Sequence, residues 1–167
     1  IQAKVERQQF EMLFTSVDRA FENFETEYNY LPYTGAAHPT GDQYFDTAAK
    51  TSGIWTVLAG AESMAGVVSP VNFKGIKFLE GKEATPSGGT YVNGFHENAD
   101  GTISLYFPWG TQPVRLRIDN NMDGLINIPW PWSEESVGKY SIYDPGPNGS
   151  FESGTNDDWK SYIDPRL

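Results

Sequence analysis

Residues 1–32 read IQAKVERQQFEMLFTSVDRAFENFETEYNYLP, and this stretch decides the fold. Its apolar side chains recur at intervals of three and four residues, which is the spacing of one face of an α-helix. The members of this stripe are Phe10, Leu13, Phe14, Val17, Phe21, Phe24 and Tyr28. The pattern predicts a helix from residue 1 to about residue 28, ended before Pro32. Such a helix would be roughly 40 Å long, and its polar first third is expected to project outward.

The middle of the chain predicts a second, shorter helix among loops. Residues 31–44 are rich in Gly, Pro and Thr and predict a loop, and residues 45–58 have a helical apolar pattern interrupted by Gly53. A loop of small residues follows at 60–70, and residues 72–80 alternate like a short extended or helical-turn segment. Residues 81–100 are polar and are expected to cross the surface as a loop.

From residue 101 the apolar period changes to two, which predicts strands. The four segments are ISLYF at 103–107, PVRLRID at 113–119, LINIP at 125–129 and KYSIY at 139–143, with turns predicted at 108–112, 120–124 and 131–138. Short connections favour antiparallel neighbours. We therefore expect one α+β domain over residues 1–167, with a long N-terminal helix (1–30) packed on a small antiparallel β-sheet (101–167) across a variable region (31–100).

Composition excludes several classes of function. Twenty-two acidic against twelve basic residues give a net charge of −10, which argues against nucleic acid as a partner. The chain has no cysteine, so it has neither thiolate ligands nor a cysteine nucleophile. His38 and His96 both fall in predicted polar loops, and neither has a further His or Cys at zinc-ligand spacing. No Gly-x-Ser-x-Gly motif is present. The two carboxylates of a glycosidase can come from distant positions, so the residues alone leave catalysis open. The start at Ile1 suggests that the natural start lies upstream.

The segment DNNMDG at residues 119–124 matches the opening half of an EF-hand calcium loop. Its oxygen donors would be Asp119, Asn121 and Asp123. The twelfth loop position is Trp130 instead of the glutamate that closes such a site. Because Asp, Asn and Gly also favour hairpin turns, we interpret this segment first as a turn and only second as a calcium site.

The segment YDPGPNGSFESGTNDDWKSY at residues 143–162 is the other acidic stretch. Its oxygen donors include Asn148, Ser153, Asp157 and Asp158, and its glycines let backbone carbonyls turn inward. Ca²⁺ takes six to eight such oxygens. A solvated acidic loop has the same composition, so the residues alone leave both interpretations open.

The order of these parts resembles the type IV pilin-like proteins: a long helix ending in Tyr28 to Pro32, a middle region, and a Pro-Trp-Gly segment at 108–110 before antiparallel strands. The stretch YDPGPNG at 143–149 with GTNDDWKSY at 154–162 is similar to the C-terminal loop of major pseudopilins of type II secretion systems. The resemblance implies a non-enzymatic periplasmic subunit. It would be anchored in the inner membrane by an apolar helix upstream of Ile1, cut by a prepilin peptidase, and stacked with itself and other pseudopilins on a secretion platform.

The resemblance also implies one bound Ca²⁺ in the C-terminal loop. By position, its side-chain ligands would be Asn148, Asp157 and Asp158, with Ser153 as a further candidate, and Pro145 would offer its backbone oxygen. Asn148 stands where the family pattern has an acidic residue, which lowers the ligand charge.

An alternative function belongs to another class. The segment IPWPWS places Trp130 and Trp132 together, and exposed tryptophans stack on sugars in carbohydrate-binding or glycan-processing domains. We favour packing of this Pro-rich corner on the sheet. The sequence upstream of Ile1 discriminates between the two functions, since a conventional signal peptide would favour the secreted domain.

Overall fold

The computed structural model of this chain describes residues 2–33, 37–45, 47–61, 71–108, 114–128, 134–144 and 159–160. Two helices lie in these ranges, α1 (Gln2–Tyr28) and α2 (Ala48–Leu58). The strands are β1 (Gln43–Phe45), β2 (Thr85–Ser87), β3 (Thr90–Val92), β4 (Gly94–Glu97), β5 (Ile103–Tyr106), β6 (Arg115–Ile118), β7 (Leu125–Ile128), β8 (Glu134–Val137), β9 (Tyr140–Asp144) and β10 (Trp159–Lys160).

Helix α1 has the bounds that its apolar spacing predicted. Its stripe is buried from Phe10 to Tyr28 except for the partly buried Phe14, and Phe24 has no exposed surface. Asn29 ends the helix in the left-handed region, at φ 59°, while its N–H still bonds the Glu25 carbonyl at 2.7 Å. Residues 4–9 include no buried side chain. The helix therefore has a packed part from residue 10 onward and a more exposed beginning.

Helix α2 begins later than its apolar pattern predicted. The Thr47 side chain caps the helix by accepting from the Lys50 N–H at 3.3 Å. The predicted start at residue 45 is wrong because Phe45 belongs to β1, whose backbone pairs with β6. Gly53 lies inside the helix without ending it. Trp55 is fully buried and meets Phe21 of α1 edge-on, with ring centroids 6.1 Å apart.

The strands form several small antiparallel sheets. The largest has four strands in the order β1-β6-β9-β10, and β2-β3, β4-β5 and β7-β8 are separate two-stranded pairs. All these ladders are antiparallel. Buried side chains of α1, α2 and the four-stranded sheet make one hydrophobic core. The fold is α+β with a long N-terminal helix, as the sequence predicted.

Three predictions about the strand region are wrong. Residues 81–100 are not a surface loop, because β2 and β3 form a hairpin across Gly88 and Gly89, and β4 pairs with β5. His96 accordingly lies on β4, with its ring 3.6 Å from that of Tyr91. The predicted turn at 131–138 contains β8. Strand β5 does not pair with β6, and β6 does not pair with β7, although the short connections favoured both pairings. These three strands belong to three different sheets.

Residues 72–80 begin in a turn at 71–74 and then continue as neither helix nor strand. Neither α1 nor α2 combines the length and the apolar content needed to cross a lipid bilayer.

Candidate metal centre

The turn at residues 119–124 joins β6 to β7, and Asp119 shapes it. The side chain of Asp119 is 3% exposed. Its Oδ1 accepts the Asp123 N–H at 3.2 Å, and its Oδ2 accepts the Gly124 N–H at 2.8 Å. Its own N–H bonds the Lys139 carbonyl at 2.9 Å, which fixes the turn against the start of β9. These bonds are those of a turn built by an aspartate, as predicted, although the two flanking strands are not a hairpin.

Asn121 and Asp123 complete the turn from its exposed side. Asn121 Nδ2 donates to Asp123 Oδ2 at 2.9 Å, and the Leu125 N–H donates to Asp123 Oδ1 at 2.8 Å. The backbone reverses through Met122 at φ 58° and Gly124 at φ 83°. The three residues that the EF-hand pattern selected therefore lie in one tight turn.

A third carboxylate joins this turn from a distant part of the sequence. Asp42 precedes β1, and one carboxylate oxygen from each of Asp42, Asp119 and Asp123 lies within 4.8 Å of the others. The pairing of Gln43 with Ile118 across β1 and β6 brings Asp42 to this place. No local pattern marks Asp42 as a ligand, because its contact with the turn depends on a strand that the composition of residues 31–44 did not predict.

The Asp42 carboxylate is poorly compensated by its surroundings. Its Oδ1 has no accessible surface and accepts no hydrogen bond from any described residue. Burial, the charges of Asp119 and Asp123, and a hydrogen bond to Asp119 raise the pKa of Asp42 to about 6, while Arg117 opposes the rise. A proton shared with Asp119 or a bound cation would each relieve this repulsion.

The donor set fits a hard divalent cation. Ca²⁺ and Mg²⁺ are bound by carboxylate and carbonyl oxygens. The three aspartates supply one carboxylate oxygen each, and Oδ1 of Asp42 accepts no hydrogen bond from the described residues. Asp42 supplies a third carboxylate to this cluster from outside the 119–124 segment. These ligands can hold an ion and tie β1 to the β6–β7 turn.

The predicted C-terminal calcium ligands lie outside the described residues. These are Pro145, Asn148, Ser153, Asp157 and Asp158, and the same is true of Trp130 and Trp132. The structure does describe both ends of this loop, because Asp144 of β9 pairs with Trp159 of β10, and Tyr143 pairs with Lys160. Asp144 and Trp159, which border residues 145–158, thus lie side by side on two antiparallel strands.

Comparisons of the chain with protein-family models, with curated protein sequences and with solved structures found no match.

Proposed function

We propose that this chain is the periplasmic part of a non-enzymatic, pilin-like filament subunit of the type II secretion pseudopilus kind, stabilised by Ca²⁺. The observation that carries the proposal is the division of α1 into an exposed beginning and a firmly packed remainder. A subunit that assembles through its helix needs both parts, because the first meets neighbours and the second transmits force to the domain.

The packed part of α1 is held by different kinds of contact along its length. Phe10 meets Phe107 edge-on at 5.1 Å between ring centroids. Farther along, Phe21 stacks on Tyr140 at 4.3 Å, and Glu25 forms an ion pair with Lys139 at 3.0 Å. Aromatic packing at several successive turns resists both rotation and sliding of the helix.

The beginning of α1 is suited to contacts with other chains. Val5 is 46% exposed and Met12 is 72% exposed, and their separation of seven residues places both on one face. Contiguous exposed apolar surface marks interaction sites, and this face of α1 offers two apolar side chains to a neighbouring chain.

Calcium is the proposed stabilising ion. The resemblance assigns it to the C-terminal loop through Asn148, Asp157 and Asp158, and the cluster of Asp42, Asp119 and Asp123 is a second place whose donors suit the same ion. In either place the ion would fix a loop at the edge of the four-stranded sheet, since β1 and β10 are its outer strands.

The proposal is tested on the full-length gene product in its own host. We expect the upstream coding sequence to supply an apolar segment continuous with Ile1, and deletion of the prepilin peptidase to leave a longer form of the protein on immunoblots. A periplasmic protein with a conventional signal peptide is the control and should not change. Normal processing without the peptidase contradicts the proposal and favours the alternative, a secreted carbohydrate-binding domain built on Trp130 and Trp132.

A further inference from the structure

Two patches of exposed apolar side chains flank the buried stripe of α1, and they differ in charge. The first, here the groove patch, consists of the exposed apolar side chain of Met12 with Arg19 and Lys82, and it borders a cavity of about 330 Å³. The cavity is lined by Gln9, Met12, Leu13, Ser16, Lys82 and Asn93. The second, here the hairpin patch, consists of Met122, Leu125 and Val137 beside a cavity of about 230 Å³.

The groove patch combines an apolar surface with cations. Met12 is 72% exposed. Lys82 Nζ lies at the wall of the groove, where it donates to the Asn93 carbonyl at 3.2 Å. Arg19 is exposed and follows Met12 by seven residues, which places it on the same face of α1. Asn93 Oδ1 is buried and has no hydrogen-bond partner among the described residues. The groove thus offers positive charge and one unused acceptor.

The hairpin patch combines an apolar surface with carboxylates. Leu125 and Val137 are directly opposite each other on β7 and β8 and are 38% and 83% exposed. Met122, on the preceding turn, is 55% exposed. Asp119 lines the same cavity together with the ion pair of Glu25 and Lys139, so the acidic cluster of Asp42, Asp119 and Asp123 borders this patch and supplies its excess negative charge. Three carboxylates keep a net negative charge even with one divalent ion bound.

The two patches face different directions. Ser16 lines the groove cavity and Glu25 lines the hairpin cavity. Nine residues separate them, which at about 3.6 residues per turn is two and a half turns, so they leave α1 on opposite sides. Met12 and Glu25 are also about 20 Å apart along the helix axis. One chain can therefore use both patches at the same time.

We propose that the groove patch of one copy binds the hairpin patch of the next copy, head to tail. Met12 would pack against Leu125 and Val137, while Lys82 and Arg19 would face the acidic cluster. A contact between two different surfaces is heterologous, and when it does not close into a ring it generates an open filament. The inference rests on the proposed function and deepens it by naming the contact between neighbouring subunits.

Cysteine cross-linking tests this geometry because residues 1–167 contain no cysteine. The variant Met12→Cys/Val137→Cys is expressed in the full-length protein in its host and treated with a short bis-maleimide. We expect a ladder of dimers, trimers and larger species, since each chain would be linked on both sides. The variants Met12→Cys and Val137→Cys alone, and the pair Met12→Cys/Phe73→Cys, should give no ladder. A ladder from Met12→Cys/Phe73→Cys of equal strength, or none from the test pair, overturns the contact.

Charge variants test the pairing of the patches independently. Lys82→Glu and Asp123→Lys, each added to Met12→Cys/Val137→Cys, should reduce the yield of the cross-linked ladder by about tenfold or more. The combination Lys82→Glu/Asp123→Lys should recover most of that yield. Phe73→Glu, at a position 56% exposed and outside both patches, is the matched control.

The outcomes separate this contact from the proposed function. Processing by the prepilin peptidase without the expected ladder contradicts the contact and leaves the pilin-like function standing. Failure of both removes both proposals. A product that stops at the dimer shows an isologous contact and overturns the head-to-tail arrangement, as does failure of the double charge variant to recover the ladder while it remains folded.

Discussion

The phenol of Tyr140 donates a hydrogen bond of 2.7 Å to Asp18 Oδ1, joining the first residue of β9 to the middle of α1. Its ring also stacks on Phe21. Burial, the hydrogen bond to Asp18 and the charge of that carboxylate raise the pKa of Tyr140 above its ordinary value. The phenol therefore stays protonated and holds α1 in one rotation on the sheet.

Replacing this phenol isolates the hydrogen bond from the packing. Tyr140→Phe keeps the ring on Phe21 and should lower the free energy of unfolding by about 1 kcal/mol, measured by urea denaturation. Tyr44→Phe is the control, since the Tyr44 ring is 42% exposed and lies over the Arg117 guanidinium at 4.0 Å. It should change stability by less than about 0.5 kcal/mol. Equal effects of the two variants would show that the bond to Asp18 contributes nothing.

Asn72 connects three segments through hydrogen bonds in the interior. It has no exposed surface, accepts from the Tyr28 phenol at 2.5 Å, and donates to the carbonyls of Val57 and Ile76 at 2.9 and 2.8 Å. Asn72→Ala removes the acceptor of the Tyr28 phenol and of the Ile76 N–H, at about 1–3 kcal/mol each, while the Val57 carbonyl keeps the Gly60 N–H at 3.1 Å. We expect a loss of about 3 kcal/mol or more in urea denaturation.

Asn127→Ala is the control for Asn72→Ala because the side chain of Asn127 is exposed on β7. It should change stability by about 0.5 kcal/mol or less. A loss below about 1 kcal/mol for Asn72→Ala would mean that water satisfies the freed groups and that Asn72 does not connect the segments.

The periodicity of apolar residues predicted α1 and four of the strands but not β2 and β3. The spacing from Phe10 to Tyr28 fixed α1 because one buried face spans many turns. Strands β5, β6, β7 and β9 were predicted since their side chains alternate. Strands β2 and β3 were not, because they contain no buried side chain and include Pro86, so no alternation marks them.

Pairing between distant segments lies beyond the reach of local patterns. Asp119 and Asp123 were candidates since they share a motif, whereas Asp42 joins them only through the pairing of β1 with β6. The short connection between β6 and β7 suggested that these two strands form a hairpin. Asp119 shapes the turn between them through its hydrogen bonds, and β7 pairs with β8 instead of β6. Tertiary packing decides such cases.

Gly94 occupies a backbone position that excludes any side chain. Its φ is 149°, and a Cβ atom there would lie 2.5 Å from the Lys82 carbonyl oxygen and 2.7 Å from the Ala84 nitrogen. Both atoms bond the Phe95 backbone at 2.8 Å. Gly94→Ala must break these bonds, and we expect a loss above about 3 kcal/mol or failure to fold, measured by circular dichroism and urea denaturation.

Gly101→Ala measures the free-energy cost of the backbone conformation without the cost of a steric contact. Gly101 also has positive φ, at 85°, but nothing lies within 4 Å of a Cβ placed there. It should lose only about 1–2 kcal/mol, the cost of a left-handed alanine. Similar losses for the two variants would contradict the steric explanation for Gly94.

Calcium should stabilise the folded chain. An ion that binds only the folded state adds about 2.7 kcal/mol at a hundredfold excess over its dissociation constant. We expect a chelator to lower the melting temperature and added Ca²⁺ to restore it. Asp157→Ala/Asp158→Ala should remove most of this shift, and Asp42→Asn/Asp123→Asn a smaller part. A melting temperature unaffected by the chelator would sink the calcium proposal.

Protonation of Asp42 makes stability depend on pH in a definite direction. Its pKa is about 6 in the folded chain, against an ordinary value of 3.8. Between these values the folded chain holds a proton that the unfolded chain has released. The unfolded state then binds fewer protons, so this group's contribution is fully present below about pH 4 and is lost as pH rises through 6.

Asp42→Asn removes this dependence because an amide cannot ionise. With chelator present, the melting temperature of the variant relative to the wild type should therefore rise from pH 4 to pH 7, the reverse of what loss of a favourable ion pair would give. Titrations shared by both proteins cancel in this difference. Glu80→Gln, at an exposed position outside the cluster, is the control and should show a flat difference. A flat difference for Asp42→Asn as well would mean that water or Arg117 compensates the carboxylate. In the absence of chelator, addition of Ca²⁺ at pH 7 should stabilise the wild type more than Asp42→Asn, because only the wild type keeps all three carboxylates.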